Sequence, residues 1–467
     1  MRYVAVCLTV LGLVGAASAD ADTKKAAKKQ PNFIIILADD LGYGDLGCYG
    51  HPTIRTPNLD RMAAEGQKYT SAYVAAPLCT PSRAGLLTGR LPIRSGMCSG
   101  KRRVLFPDSA GGLPAREITI AEALKPLGYA TGCVGKWHLG HLPPYLPNRH
   151  GFDFHFGLPY SNDMDNVSGK GREAILHPKV EYFNVPLLRN GKIIERPADQ
   201  TTLTRRYTEE AVGFIKKNKE RPFFLYFAHT FPHVPLFASD KFRDASRRGI
   251  YGDAVEELDW SVGRVLQTLR DEGLSRETFV VFTSDNGPWL IQNQLGGSAG
   301  LLRDGKGSTW EGGMREPFLV WGPGRVPAGR TVAELVSTLD LLPTLVTLAG
   351  GRPPADRELD GSDVSPLFLG TGPSPRKEMF FYRGETLYAV RKGPYKAHFI
   401  TEGAYGPDRR RKEHKPPLLY HLDRDPSERF DIGKQHPEVL ADIQKIADKH
   451  GQTIKRVENQ LEKRIEK

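Results

Sequence analysis

Short apolar runs that alternate with longer amphipathic segments limit the possible folds of this 467-residue chain more than any other feature. Runs of four or five mostly apolar residues are typical of strands buried on both faces, whereas the segments between them have helical spacing. Strands that alternate with helices predict an α/β fold with a mostly parallel sheet flanked by helices. The predicted strands are 33–37, 130–134, 223–227, 279–282 and 318–321. The predicted helices are 59–65, 120–127, 206–217, 252–271 and an apolar helix over 332–348 broken at Pro343.

The last quarter of the chain has a different pattern. A Gly/Pro-rich stretch over 350–375 predicts loop and linker, and the alternating segments that follow predict an antiparallel meander and a closing helix. The predicted strands are 379–382, 386–391 and 395–400, with a turn at 392–394 and a helix from about 437 to 465. We therefore predict a catalytic domain over 31–375 and a smaller C-terminal subdomain over 376–467.

The N-terminus has the pattern of a secretory signal peptide over 1–19: Arg2, an apolar stretch over 4–14 and the cleavage motif Ala17-Ser18-Ala19. The apolar stretch is too short to span a bilayer. We expect export and cleavage rather than stable membrane insertion, with an N-terminal anchor as the alternative. Residues 20–30 read as a basic linker.

The formal charge of +11 favours anionic partners without choosing among them. The densest basic runs, 101–103 and 409–412, lie among Gly and Pro and lack interleaved aromatic residues, so we predict solvated loops and no nucleic-acid binding.

Of five cysteines, Cys7 falls in the predicted signal peptide. The other four are too few for a disulfide framework, and no C-x-x-C pair suggests zinc.

Polar side chains follow four of the predicted strands directly. The four clusters are Asp39-Asp40, Gly135-Lys136-Trp137-His138, His229 with His233, and Asp285-Asn286. Ligands of open parallel sheets bind outside the carboxyl ends of the strands, so these clusters should converge on one rim. The set Asp39, Asp40, Asp285 and Asn286 offers only oxygen donors, which suit calcium or magnesium rather than zinc. Either pair alone has helix capping or a turn as its alternative.

A further candidate is Cys79 in the segment LCTPSRAGLLTGR, residues 78–90. Thr80 as N-cap and Pro81 as first helical residue predict a helix start. Cys79 would then lie just outside a helix N-terminus, which favours an anion, and Arg83 would return to the same side. This position predicts a reactive cysteine of lowered pKa. The alternative is a small buried apolar residue.

The run Cys79-Thr80-Pro81-Ser82-Arg83, followed by Thr88-Gly89-Arg90, resembles the signature of the formylglycine-dependent sulfatases. The resemblance covers nearly the whole chain after the signal peptide, including LADDLGYGDLGCYGHP, GKWHLG, TSDNGP, GKGSTWEGG and LYAVRKGPYKAHF. It implies an alkaline-phosphatase-like fold and hydrolysis of aryl or carbohydrate sulfate esters. It also implies that a formylglycine-generating enzyme oxidises Cys79 during maturation, and that the hydrate of the resulting formylglycine is the nucleophile.

The same resemblance implies roles for individual residues. The matched metal ligands are Asp39, Asp40, Asp285 and Asn286, with residue 79 completing a shell for Ca²⁺ or Mg²⁺. The other matched residues are Arg83 and Lys136, which hold the formylglycine hydrate, His138 as base, Ser161 as a polar contact, and His233 and Lys306, which bind sulfate and assist departure of the leaving group. His229 does not align with the catalytic histidine, and we expect it behind the site. Loops at about 158–195 and 289–295 are expected to set specificity.

Two other classes stay open at this stage. A phosphate or phosphonate ester hydrolase would share the fold, although the second metal set of the two-zinc phosphomonoesterases is not found. A binding protein that has lost the chemistry is the third class, and the intact set of matched residues speaks against it.

The only glycosylation sequon, at Asn166, and the few cysteines favour a bacterial periplasmic or secreted protein over a lysosomal one. The natural ester and the oligomeric state are left open.

Overall fold

The computed structural model describes residues 1–5, 30–168, 171–404 and 409–466. Most of the predicted signal peptide and basic linker therefore lies outside the described residues. The described strands are β1 (Asn32–Ala38), β2 (Gln67–Tyr69), β3 (Ala72–Tyr73), β4 (Ala130–Gly135), β5 (Phe154–Gly157), β6 (Leu187–Arg189), β7 (Lys192–Glu195), β8 (Phe223–Ala228), β9 (Thr278–Ser284), β10 (Phe318–Trp321), β11 (Arg330–Val332), β12 (Val336–Ser337), β13 (Glu378–Arg383), β14 (Thr386–Lys392), β15 (Tyr395–Thr401) and β16 (Lys412–His421).

The α-helices vary from one turn to six. They are α1 (Pro57–Glu65), α2 (Cys79–Thr88), α3 (Pro92–Ser95), α4 (Ile120–Leu124), α5 (Glu173–Leu176), α6 (Leu203–Lys217), α7 (Ile250–Asp271), α8 (Glu311–Met314), α9 (Leu341–Leu348), α10 (Ser365–Phe368) and α11 (Pro437–Thr453). Within the described ranges, none of these helices has both the length and the apolar character needed to cross a membrane.

A ten-stranded sheet in the order β11-β2-β10-β9-β1-β8-β4-β5-β6-β7 forms the centre of the molecule. Its five middle strands, β9-β1-β8-β4-β5, are all parallel, which confirms the predicted α/β fold. The expectation that 318–321 is also parallel was wrong, because β10 runs antiparallel to β9 and β2. A fully buried strand is apolar in either direction, so its composition carries no sign of its orientation.

Helices cover both faces of this sheet, because successive side chains of a strand point to opposite faces. Ile34 and Ile36 of β1 pack into a core shared with α1, α6 and α7. Phe33, Ile35 and Leu37 pack into a second core shared with α2, α4, α9 and α10. These two cores fix the carboxyl ends of the strands and the N-terminus of α2 relative to one another.

The segment 332–348 differs from the single broken helix that was predicted. Its first part forms β12 and a 3-10 turn, Thr338–Asp340, and the α-helix begins only at Leu341. Ser337 caps this turn, its hydroxyl accepting from Leu339 N at 3.2 Å. Pro343 lies in the first turn of α9, where no intrahelical N–H is required, so it does not break the helix.

The C-terminal part is a separate four-stranded antiparallel sheet in the order β13-β14-β15-β16, with α11 packed on one face. The predicted meander and its antiparallel direction are confirmed, but β16 was missed. The predicted closing helix was too long, because α11 ends at Thr453 and residues 454–466 continue without helix. The domain boundary near residue 375 stays a prediction.

Candidate active site

The first residues after three central strands lie close together. β1 and β9 are adjacent, parallel and end at the same level, so Asp39 and Asp285 leave the sheet side by side. The backbone N–H of Asp40 donates to Asp285 Oδ1 at 3.2 Å. Lys136 follows β4, and its backbone N–H donates to the carbonyl of Ala228 at the end of β8, at 2.7 Å. The strand ends therefore form one rim, as parallel strands require.

Cys79 lies on this rim as the first residue of α2. Leu78 is the N-cap, so the expectation that Thr80 caps the helix and leaves Cys79 outside it was wrong. The hydroxyl of Thr80 instead donates to the carbonyl of His138 at 3.0 Å, which ties the start of α2 to the loop after β4. Cys79 Sγ lies 3.6 Å from Asp39 Oδ1, and the side chain is buried.

The pKa of the Cys79 thiol is raised, not lowered as the sequence predicted. Burial is the main cause, because the site withdraws the thiolate from water. Lys136 and Lys306 act in the opposite direction, but Asp39 and Asp285 add to the rise. Unmodified Cys79 is therefore a neutral thiol at pH 7, and ordinary thiolate catalysis does not fit this position.

Two buried cations hold Asp39. Lys136 Nζ donates to Asp39 Oδ2, and Arg83 Nη2 lies 3.6 Å from the same oxygen. Arg83 also donates from Nε to Asp285 Oδ2 at 2.9 Å and from Nη1 to the carbonyl of Lys136 at 2.7 Å. Burial alone would raise the pKa of Asp39, but Lys136, His233 and Arg83 outweigh it and keep the pKa below its usual range. Asp39 is therefore an anion.

Asp40 is the centre of a second group. Its Oδ1 accepts from Asn286 Nδ2 at 2.7 Å, and its Oδ2 accepts from Lys306 Nζ at 2.7 Å. His233 Nε2 lies 3.6 Å from the same Oδ2. Asp40 adopts a left-handed backbone conformation with φ of 63°, which aspartate tolerates better than most residues. Burial raises the pKa of Asp40, and Lys306 opposes this rise.

The donor set fits a divalent metal. Ligand atoms of Asp39, Asp40, Cys79 and His233 all lie within 4.8 Å of one another. The side-chain oxygen of Asn286 is buried and accepts no hydrogen bond from the described residues. Burial, followed by repulsion from Asp39, raises the pKa of Asp285 to about 7. Carboxylate and amide oxygens suit a hard cation, and the thiol does not.

His138 has an unprotonated ring nitrogen. Its Nε2 lies 2.9 Å from the carbonyl oxygen of Leu105, which can only accept, so Nε2 carries the hydrogen. Burial, aided by Lys136, holds its pKa well below the ordinary value and keeps the ring neutral. Nδ1 is then unprotonated, and it has no hydrogen-bond partner among the described residues.

Of two further residues named in the sequence analysis, Ser161 contacts the cluster and His229 lies beneath it. Ser161 Oγ accepts from Lys136 Nζ at 3.1 Å, which puts it at the edge of the cluster. The ring of His229 lies 4.2 Å from that of Phe227, and its Nε2 is 3.4 Å from Ser261 Oγ on α7. His229 thus points to the helix layer beneath the rim.

The predicted specificity loops contain two side chains at the site that the sequence analysis did not single out, Asp163 and Trp289. The Trp289 ring centroid lies 4.4 Å from Lys306 Nζ and 5.4 Å from the His233 ring. Asp163 Oδ1 is buried without a hydrogen-bond partner in the described structure, and Lys136 and Lys306 both oppose the burial that raises its pKa. The signal available for Trp289 was its position three residues after Asn286. Asp163 had the same kind of signal, because it lies two residues after Ser161.

The arrangement defines a class of enzyme. Hard metal donors and buried cations around the N-terminus of α2 are suited to polarising and cleaving the ester of a tetrahedral oxyanion. Comparison with known proteins identifies that oxyanion.

Residues 31–351 match the sulfatase family, and residues 374–467 match the C-terminal region of aryl-sulfatase. Arylsulfatase A of Homo sapiens is 45% identical over 455 residues, which cover 90% of this chain and 88% of that protein. N-acetylgalactosamine-6-sulfatase of Canis lupus familiaris is 44% identical over 469 residues, covering 92% of this chain and 87% of that protein. The crystal structure of Ps i-CgsB in complex with k-i-k-neocarrahexaose is 32% identical, with a TM-score of 0.78 and coverage of 94% and 95%.

The chain belongs to the sulfatase family, and it is a sulfuric ester hydrolase with an alkaline-phosphatase-like fold.

Proposed function

We propose that this enzyme cleaves aryl or carbohydrate sulfate esters through a formylglycine formed from Cys79. The observation that carries the proposal is the position of Cys79, buried at the start of α2 with Sγ 3.6 Å from Asp39 Oδ1 and two cations behind that carboxylate. The raised pKa of the thiol supports a modified residue as the nucleophile. A formylglycine hydrate supplies one hydroxyl to attack sulfur and a second to expel the sulfate afterwards.

We further propose that Asp39, Asp40, Asp285 and Asn286 hold a Ca²⁺ or Mg²⁺ ion together with residue 79. Conversion of Cys79 replaces a soft sulfur by oxygen, which matches the other four donors. When bound, such a cation polarises a sulfate oxygen and favours the ionised form of the attacking hydroxyl. The buried, unsatisfied oxygen of Asn286 and the raised pKa values of Asp40 and Asp285 support this assignment.

The remaining predicted site residues have different proposed roles around residue 79. Arg83 and Lys136 hold the hydrate by their charge, and Lys136 also orients Ser161. His138 would accept a proton from residue 79 at Nδ1, because Nε2 donates to the carbonyl of Leu105 and Nδ1 has no partner among the described residues. His233 and Lys306 both lie against Asp40 Oδ2, and we assign them to binding the sulfate and assisting departure of the leaving oxygen.

A carbohydrate sulfate is the substrate class with the most support. One relative is named for N-acetylgalactosamine 6-sulfate, and one solved structure holds a neocarrahexaose. The loops at about 158–195 and 289–295 would set specificity, and Trp289 at the start of the second loop supplies an aromatic face beside His233.

We also propose export of the protein, to the periplasm or outside the cell, with a catalytic domain over 31–375 and a C-terminal subdomain over 376–467.

The test compares three esters of one phenol: the sulfate, the phosphate and the phosphonate. The protein is made in cells that contain the formylglycine-generating enzyme, and peptide mass spectrometry measures conversion of Cys79. We expect strong preference for the sulfate and loss of turnover on chelation of divalent metal. Cys79→Ala should abolish turnover and leave the thermal midpoint nearly unchanged, because one small buried side chain replaces another. Turnover by that variant, or preference for phosphate, would refute the proposal.

A further inference from the structure

The segment 304–311 carries Lys306, and backbone hydrogen bonds hold its first half: Lys306 N donates to the carbonyl of Pro288 at 3.0 Å, and Gly307 N donates to that of Pro77 at 2.8 Å. Lys306 lies between Gly305 and Gly307, and Gly307 adopts a φ of 87°. Glycine permits this path but supplies no side chain to anchor it. The Lys306 ammonium must nevertheless stay 2.7 Å from Asp40 Oδ2.

Contacts from the C-terminal subdomain hold the second half of the segment. Lys396 of β15 donates from Nζ to the carbonyl of Thr309 and to Glu311 Oε1, both at 2.8 Å. The same nitrogen lies 3.0 Å from Glu428 Oε1. Glu428 Oε2 accepts from the backbone N–H of Glu311 at 2.7 Å. Lys396 and Glu428 therefore hold the backbone on the C-terminal side of Lys306 at two points.

Two other contacts of the same subdomain reach the two ends of the segment. The backbone N–H of Ala404 donates to Asp304 Oδ2 at 3.1 Å, and the ring of His398 lies 4.4 Å from that of Trp310. His398 Nε2 also lies 2.6 Å from Glu428 Oε1.

The ion pairs in this contact are fully buried. The side chains of Lys396, Glu311 and Glu428 have no exposed surface. Buried charges contribute little net stability compared with apolar residues, but they fix geometry, because each must meet its partner at hydrogen-bond distance. Burying these charges has a desolvation cost that apolar packing between the subdomains would avoid. The same ion pairs are well suited to hold a loop in one position.

We propose that Lys396 and Glu428 are positioning residues of the sulfatase site, acting through segment 304–311 to place the Lys306 ammonium against Asp40. This inference rests on the proposed role of Lys306. It makes the C-terminal subdomain a working part of the active site, although neither Lys396 nor Glu428 forms a hydrogen bond or ion pair with Asp39, Asp40 or residue 79 in the described structure.

The test uses Lys396→Met with Glu428→Gln as a second, isosteric variant. The matched control is Arg376→Met, which removes another buried cation near the subdomain junction. Arg376 contacts Asp340 through Nε at 2.9 and 3.0 Å, and donates to the carbonyls of Asp360 and Glu378. All variants are assayed well below their thermal midpoints. We expect Lys396→Met and Glu428→Gln to lower kcat/KM about 10- to 100-fold, as is typical when the support of a site residue is lost. Arg376→Met should keep the wild-type kcat/KM despite a lower thermal midpoint.

A double-mutant cycle with Lys306→Ala separates positioning from general damage. If Lys396 acts through Lys306, Lys396→Met should cause no further loss of kcat/KM in the Lys306→Ala background. Losses that multiply, or an equal loss in Arg376→Met, would overturn the proposal. Hydrogen exchange gives a readout independent of turnover: amides of 304–311 should exchange faster in Lys396→Met than in Arg376→Met. Faster exchange in a protein that cleaves no sulfate ester would refute the proposed function alone, and unchanged exchange would refute this inference.

Discussion

Asn286→Asp is an isosteric change that tests the proposed metal site without relying on turnover. In the wild type, Asn286 Nδ2 donates to Asp40 Oδ1 at 2.7 Å and to the carbonyl of Gly287 at 3.0 Å. An aspartate at this position replaces both donors by an oxygen that faces two acceptors. Loss of two buried hydrogen bonds, one of them to a charged group, costs about 2–4 kcal/mol before the repulsion is added.

Proton uptake limits this cost. A carboxyl group with the ordinary pKa of 3.8 can be protonated at pH 7 for about 4 kcal/mol, at 1.36 kcal/mol per pKa unit. The proton then restores a hydrogen bond between the two carboxyl groups. We therefore expect metal-free Asn286→Asp to lose about 4 kcal/mol of unfolding free energy at pH 7. The folded variant binds a proton that the unfolded chain lacks, so the loss shrinks on acidification, to about 2 kcal/mol at pH 5.5.

Asn162→Asp is the matched control. Asn162 is also buried, and its Nδ2 donates to Gln200 Oε1 and to the carbonyl of Pro235, both at 3.0 Å. Urea denaturation at pH 7 and 5.5 should give both variants a similar loss and a similar recovery in acid. Added Ca²⁺ should stabilise Asn286→Asp more than the wild type, because the cation takes the place of the shared proton, and should stabilise Asn162→Asp only as much as the wild type. An equal response of the two variants to Ca²⁺ would refute the assignment of Asn286 as a ligand.

Two further predictions concern the sheet beneath the site. Burial lowers the pKa of His155 to about 3, so folding opposes protonation of this ring. The free energy of unfolding should therefore fall below pH 6.5 by about 1.4 kcal/mol per pH unit. His155→Leu should reduce this slope in urea denaturation series, and an unchanged slope would contradict the prediction. A Cβ at Gly135, where φ is 107°, would lie 1.7 Å from the carbonyl oxygen of Ala228, so Gly135→Ala should displace Lys136 and lower both the thermal midpoint and kcat/KM. Gly213→Ala in α6, where a Cβ meets nothing within 4 Å, is the control and should gain about 0.5–1 kcal/mol; equal effects of the two substitutions would show that the close approach at Gly135 is unimportant.

The parallel centre of the sheet could be predicted because its signal is local. Apolar runs such as 33–37 and 223–227 can be buried on both faces only between helices, and their polar successors must then share a rim. The orientation of β10 could not be predicted in this way. It depends on the path of residues 285–317, which carry Lys306 and return the chain along the sheet.

The candidate site shows the same division. The residues that follow strands, Asp39, Asp40 and Asp285 among them, were available from pattern and family resemblance. The state of Cys79 was not, because its pKa is decided by how completely the surrounding elements exclude water. The prediction of a lowered pKa took account of the dipole at the N-terminus of α2 but not of the burial of the thiol.

The sequence by itself determined the α/β class, the order of the polar clusters and the membership of the sulfatase family, because these depend on residues near one another in the chain. Only the tertiary structure decided which charges meet. Lys396 and Glu311 are 85 residues apart, and Lys306 and Asp40 are 266 residues apart. Their contacts exist because two distinct sheets pack against one loop, and buried charges there must find partners at hydrogen-bond distance.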